Sequence, residues 1–105
     1  MRVKICGIQN ANEALEAVRA GADLIGLNFV PESPRCIDLR TADAICEAVA
    51  SEAVETVALF SNAVWEEVDR VLRRVDFDRV QLHGEETEQD VEAVDLPVIK
   101  ALRGA

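Results

Sequence analysis

The chain is poor in aromatic residues and in lysine. It has no tyrosine, one tryptophan, three phenylalanines and one histidine. With half of its residues apolar, the core must therefore be built mostly from Ala, Val, Leu and Ile. Basic residues are outnumbered, eleven against twenty acids, for a formal net charge of −9. Lys4 and Lys100 are the only lysines. This balance disfavours general binding to nucleic acid or anionic membranes, which needs clustered Lys and Arg. An anionic substrate would need a local basic patch. No apolar run approaches the ~18 residues of a membrane span. The start lacks the basic, apolar and small-residue zones of a secretory signal, so a cytoplasmic protein is the default expectation. The cysteines are three, Cys6, Cys36 and Cys46. An odd count at wide spacing fits neither a disulfide framework nor a zinc pattern, and reduced thiols are expected.

What is present is organised around residues 2–10, Arg-Val-Lys-Ile-Cys-Gly-Ile-Gln-Asn. A short run rich in β-branched residues stops at a cysteine and a glycine, and a helical pattern follows. Cys6 then stands at the carboxyl end of a strand, where α/β sheets carry their chemistry. The unit repeats. Residues 2–6 read as a strand, followed by a helix to about Ala20 capped by Asn10 or Asn12, with Ala11, Leu15, Val18 and Ala22 as its apolar stripe. Glu13, Glu16 and Arg19 face out, and Gly21 terminates the helix. Residues 23–29 read as a buried parallel strand, inside which Gly26 signals a close approach. A loop with two prolines covers residues 30–36. Helices are predicted over 41–50, capped by Thr41, and over 64–74, with Val64, Val68, Val71, Leu72 and Val75 on the buried side. Strands are predicted at 55–60, 78–82 and 97–102, and an acidic helix at 85–94, whose Glu85, Glu86 and Glu88 form a solvated face.

One strand, one helix, repeated, argues for parallel strands with right-handed crossovers in a single domain over residues 1–105. Five strands fit an open doubly wound sheet, and they fit the first half of an eight-stranded barrel. Pattern alone slightly favours the open sheet, because a half barrel leaves its edge strands unpaired and its inner apolar face uncovered.

The residues also resemble a known family. Lys4-Ile5-Cys6-Gly7-Ile8, Ala20-Gly21-Ala22-Asp23 with Gly26, Ser33-Pro34-Arg35, Gln81-Leu82-His83-Gly84-Glu85 and Pro97-Val98-Ile99-Lys100-Ala101 are similar, in order and spacing, to phosphoribosylanthranilate isomerase. Gln9 departs from the pattern, which usually has Thr. The resemblance implies an α/β fold of parallel (β/α) units, a partial TIM (β/α)8 barrel truncated after the fifth strand. It implies the tryptophan-pathway Amadori rearrangement, turning an aminoaldose into an aminoketose with no cofactor or metal. The implied partners are a phosphosugar–anthranilate substrate and either a second copy or a C-terminal half barrel, with no nucleic acid and no membrane.

Read from the residues alone, Cys6 is either a buried structural thiol or a base; the resemblance implies the general base. Oriented loop amides or a positive charge would favour its thiolate. Arg35 is a solvated surface residue or, by resemblance, a bidentate partner of the anthranilate carboxylate. His83, the only histidine, is a structural group or a substrate contact. Gln81 is a polar core residue or a substrate contact pointing into the barrel. Lys4 shares the strand face of Cys6 and either supports the site or is paired without a role. Asn28 is a weaker contact candidate, Cys36 and Cys46 are expected to be inert, and Trp65 to be packed. The family's general-acid aspartate, on the sixth strand, and its phosphate loops, after the seventh and eighth, have no counterpart in these 105 residues. The isolated chain is therefore expected to be inactive, and a non-catalytic half-barrel scaffold is the alternative.

Overall fold

Five parallel strands pair in the order of the chain, β1-β2-β3-β4-β5. They are β1 (Lys4–Cys6), β2 (Leu24–Asn28), β3 (Glu55–Phe60), β4 (Arg79–Leu82) and β5 (Val98–Lys100), with helices α1 (Ala11–Arg19), α2 (Leu39–Val49) and α3 (Trp65–Arg74) between the first four. This computed structural model describes residues 2–84, 94 and 96–100. The predicted helix over 85–94, its acidic run and residues 101–102 of the predicted last strand fall largely or wholly outside the described residues. The sequential order has no reversal, so it overturns the slight preference for a doubly wound sheet, whose order switches partway.

The strand register sorts side chains into two layers. Ile25, Leu27, Ala58, Phe60, Val80 and Leu82 pack with Ala14, Ala17, Ala42, Ile45, Val68 and Val71 of the helices. Phe29 joins them, stacked on Phe60 at 5.6 Å and edge-on to Phe77 at 5.8 Å. On the opposite face Leu24, Val57 and Leu59 form a second buried cluster with Ile99 against it. The face expected to lie open is thus buried at its centre, Val57 fully so.

The reason is curvature. In a flat sheet β1 and β4 would stand about 14 Å apart, three strand spacings. Yet Lys4 Nζ donates directly to Gln81 Oε1 across that face. At the amino end Glu55 accepts from both Arg2 and Arg79, the latter at 2.7 Å. These two ties draw the sheet into a trough over the second cluster.

The helix ends follow ordinary chemistry, with corrections at Glu13, Thr41, Val64 and Trp65. Asn10 Oδ1 caps α1 by accepting from Glu13 N at 2.8 Å, and Glu13 turns back to the Gln9 amide at 2.9 Å instead of facing out. Gly21, at φ +94°, ends that helix as expected. The cap of α2 is Asp38, not Thr41. Thr41 lies inside the helix and gives its amide to Asp38 Oδ1 at 2.8 Å. Val64 is the N-cap of α3, before the buried stripe starts, and is 66 % exposed. Trp65, expected to be packed, is 43 % exposed at the first turn.

Two outcomes follow for stability. Glu55 is held below its ordinary 4.5 by its hydrogen bonds from Arg79 and Arg2. Its contribution is therefore complete above pH 4.5 and lost as pH falls through the lower folded value. Thermal melts between pH 7 and pH 3 are expected to show an acid loss that is smaller in Glu55→Gln. Gln81→Leu leaves the half-buried Lys4 ammonium without its acceptor and is expected to cost about 1–3 kcal/mol in urea unfolding.

Candidate active site

Cys6 closes β1, and its thiol is exposed. It stands opposite Gly26 in the register. The chain then turns at Gly7, φ +81°, a conformation that suits glycine. The amides that follow are occupied. Gly7 N and Ile8 N both donate to Gly26 O, at 3.1 and 3.3 Å, and Gln9 N goes to Glu13. The loop amides after Cys6 thus have their own partners and are not turned to its thiol.

Arg35 brings a positive charge to the same end of β1. It comes from the loop between β2 and α2, and its Nη1 donates to Gly7 O at 3.4 Å. Its side chain fills the space beside Gly7: a Cβ there would stand 2.5 Å from Arg35 Cδ. Cys6 and Arg35 together line a cavity of about 380 Å³ beside β1 and α1, with Glu13 and Glu16 on its helix side. A larger cavity of about 700 Å³, lined by Cys46, Thr56 and Asp78 among others, lies at the amino ends of β3 and β4, the wrong end of the strands for the candidate site.

Asn28 holds the Arg35 loop. Its Oδ1 accepts from Val30 N at 2.7 Å, its Nδ2 donates to Ser33 Oγ at 3.3 Å, and its carbonyl accepts from Ile37 N at 2.9 Å. Ser33 Oγ in turn accepts from Arg35 N at 3.1 Å. The weak contact candidate is a loop clasp, and Ser33 is the residue that sequence reasoning passed over. Its signal was a hydroxyl between two prolines, a place where side chains replace missing backbone partners.

His83 follows β4 at the same carboxyl end, exposed, with its amide donating to Phe60 O at 2.8 Å. Gln81 is buried on the trough face, and its carboxamide oxygen is taken by Lys4. The structure thus brings Cys6 and Arg35 together and puts His83 on their rim, while Gln81 and Lys4 form a separate pair below. Cys36 and Cys46 both lie above the ordinary thiol value. Burial pushes Cys46 up to about 11, and burial, with Glu32 nearby, raises Cys36.

Comparison with known proteins bears on what this arrangement belongs to. The family model described as N-(5'-phosphoribosyl)anthranilate (PRA) isomerase matches residues 3–105. The chain belongs to this isomerase family. A relative from Pseudomonas putida KT2440, named N-(5'-phosphoribosyl)anthranilate isomerase, is 48 % identical over 103 residues, covering 98 % of this chain and 50 % of the relative. Phosphoribosyl anthranilate isomerase from Thermotoga maritima superposes with a TM-score of 0.91 at 38 % identity, over 97 % of this chain and 50 % of that one. A second isomerase structure, in complex with reduced 1-(o-carboxyphenylamino)-1-deoxyribulose 5-phosphate, also gives 0.91 at 38 % identity, over 97 % of this chain and 53 % of that one. The chain spans about half the length of the curated relatives it matches. Its five strands are α/β architecture of the kind those isomerases have.

For the loop clasp, Asn28→Ala removes two hydrogen bonds of about 1 kcal/mol each. Trypsin cleavage after Arg35 is expected to quicken about tenfold or more, while the global urea midpoint moves less.

Proposed function

We propose that this chain provides the base-bearing half of a phosphoribosylanthranilate isomerase site in tryptophan biosynthesis. The observation that carries the reading is the pairing of Cys6 with Arg35, a potential base and a potential carboxylate clamp lining one cavity at the carboxyl end of β1. In the reaction, the sugar ring opens as the bond from C1 to the ring oxygen breaks. That oxygen gains a proton, and the anthranilate nitrogen shares its lone pair with C1. The Cys6 thiolate then takes the proton from C2. The bonding electrons neutralise the iminium, and the resulting enol tautomerises to the aminoketose. Arg35 holds the anthranilate carboxylate with its guanidinium fork. His83 contacts substrate from the fourth strand's rim. Gln81 acts one step removed, by fixing the Lys4 ammonium under the site.

The proton donor to the ring oxygen and the phosphate anchor are supplied by residues outside these 105. General acid–base groups contribute roughly 10²–10⁴-fold each, so the 105 residues alone are expected not to turn over. Mixing them with a C-terminal half barrel from a relative is expected to restore loss of anthranilate-adduct fluorescence. In that complex Cys6→Ala should lower kcat by about 10²-fold or more, and Arg35→Ala should act chiefly on KM. A folded complex in which Cys6→Ala keeps full turnover would refute the assignment.

A scaffold reading also has an observation in its favour. β1 and β5 are the outermost strands of the sheet, and such edges seek partners. One related structure is of mutually generated monomers of dimeric phosphoribosylanthranilate isomerase from Thermotoga maritima. Light scattering separates the two readings: a second copy on these edges gives a dimer that the C-terminal half fails to displace.

A further inference from the structure

The geometry points to Gly7 and Gly26 as the positioning residues of the site, two empty side-chain places that seat Arg35 and Cys6 respectively. This inference rests on the reading that Cys6 and Arg35 act on the substrate.

At Gly7 the seat is filled by the arginine itself. A Cβ would meet Arg35 Cδ at 2.5 Å, Nη1 at 2.9 Å and Nε at 3.3 Å. No real Cβ stands that close, so any residue but glycine makes the flexible end of the arginine shift from its place beside Gly7. The bond from Nη1 to Gly7 O, 3.4 Å, anchors the guanidinium in that seat. At Gly26 the seat is filled from the neighbouring strand. A Cβ would stand 3.1 Å from Cys6 Sγ and 2.9 Å from Leu59 Cδ1, with Cys6 Cα at 3.3 Å. The sulfur therefore rests over a bare Cα, with Leu59 closing its far side. The two seats are joined, because Gly26 O accepts from Gly7 N. One carbonyl thus sets the spacing between the place of the base and the place of the cation. Displacement of about 1 Å at such a site costs about 10²-fold in rate.

Site-specific labelling tests this without turnover. Iodoacetamide followed by peptide mass spectrometry reads Cys6 against exposed Cys36 in the same chain. Hydroxyphenylglyoxal reads Arg35 against exposed Arg40. Gly26→Ala, made in a Leu59→Val background so that the sulfur is the remaining side-chain obstacle, is expected to change the Cys6 rate several-fold and leave Cys36 unchanged. Gly7→Asn, chosen because Asn accepts a positive φ, is expected to raise Arg35 labelling several-fold with Arg40 constant. Unchanged labelling of Cys6 and Arg35 in variants with native circular dichroism would overturn the proposal. Where a variant folds poorly, adding Cys6→Ala or Arg35→Ala removes the displaced occupant and is expected to recover part of the stability lost, read as the urea midpoint against the glycine substitution alone; no recovery also overturns the proposal. Full turnover by Cys6→Ala in the complemented protein would remove the catalytic reading and leave these labelling results standing, so the two fail separately.

Discussion

A lysine ammonium held by a neutral carboxamide across a sheet is the constraint on which this molecule's shape depends. Lys4 leaves β1 and finds Gln81 on β4, with β2 and β3 between them. An ammonium that is half-buried needs an acceptor, since a buried donor left unmade is costly. The contact is satisfied only if the sheet bends toward that face. Bending brings Leu24, Val57 and Leu59 together beneath it, and their burial reinforces the bend. Arg2, Glu55 and Arg79 repeat the device at the amino end with full charges. The trough therefore has a polar tie at two levels and an apolar filling between them.

The same bend gathers the carboxyl ends of the strands. Cys6 ends β1, Asn28 ends β2 and His83 follows β4, so the curl turns three strand ends toward one rim. The loop after β2 carries Arg35 back to β1. Asn28 and Ser33 hold it there, their side chains adding hydrogen bonds to the loop's own backbone turns. The helical layer, filled by small residues such as Ala14, Ala17 and Ala42, lets the helices lie close on the sheet. This suits a chain with few aromatic residues.

The alternation of strands and helices was legible because each element carries its own period. Strand order was not, since the same string of elements serves an open sheet or a barrel; only long-range pairing chooses between them. The family motifs resolved that ambiguity where local pattern leaned the other way. Element ends were misread where two residues of the right type compete. Asp38 and Thr41 are both capping residues, and the carboxylate that reaches the Thr41 amide wins. Val64 fits the apolar spacing of α3 but precedes its first turn. At the site, the positions of Cys6 and His83 followed from strand ends. The packing of Arg35 on Gly7 could not be foreseen, because it depends on where a loop from the neighbouring strand returns.

The Gly26 carbonyl takes two amides from the turn after Cys6. That turn is therefore shaped by the adjacent strand as much as by its own residues. Anyone moving this first loop into another barrel would have to transplant the second strand with it. The inheritable piece is the pair of strands and the bend between them, not the short motif that makes the family recognisable.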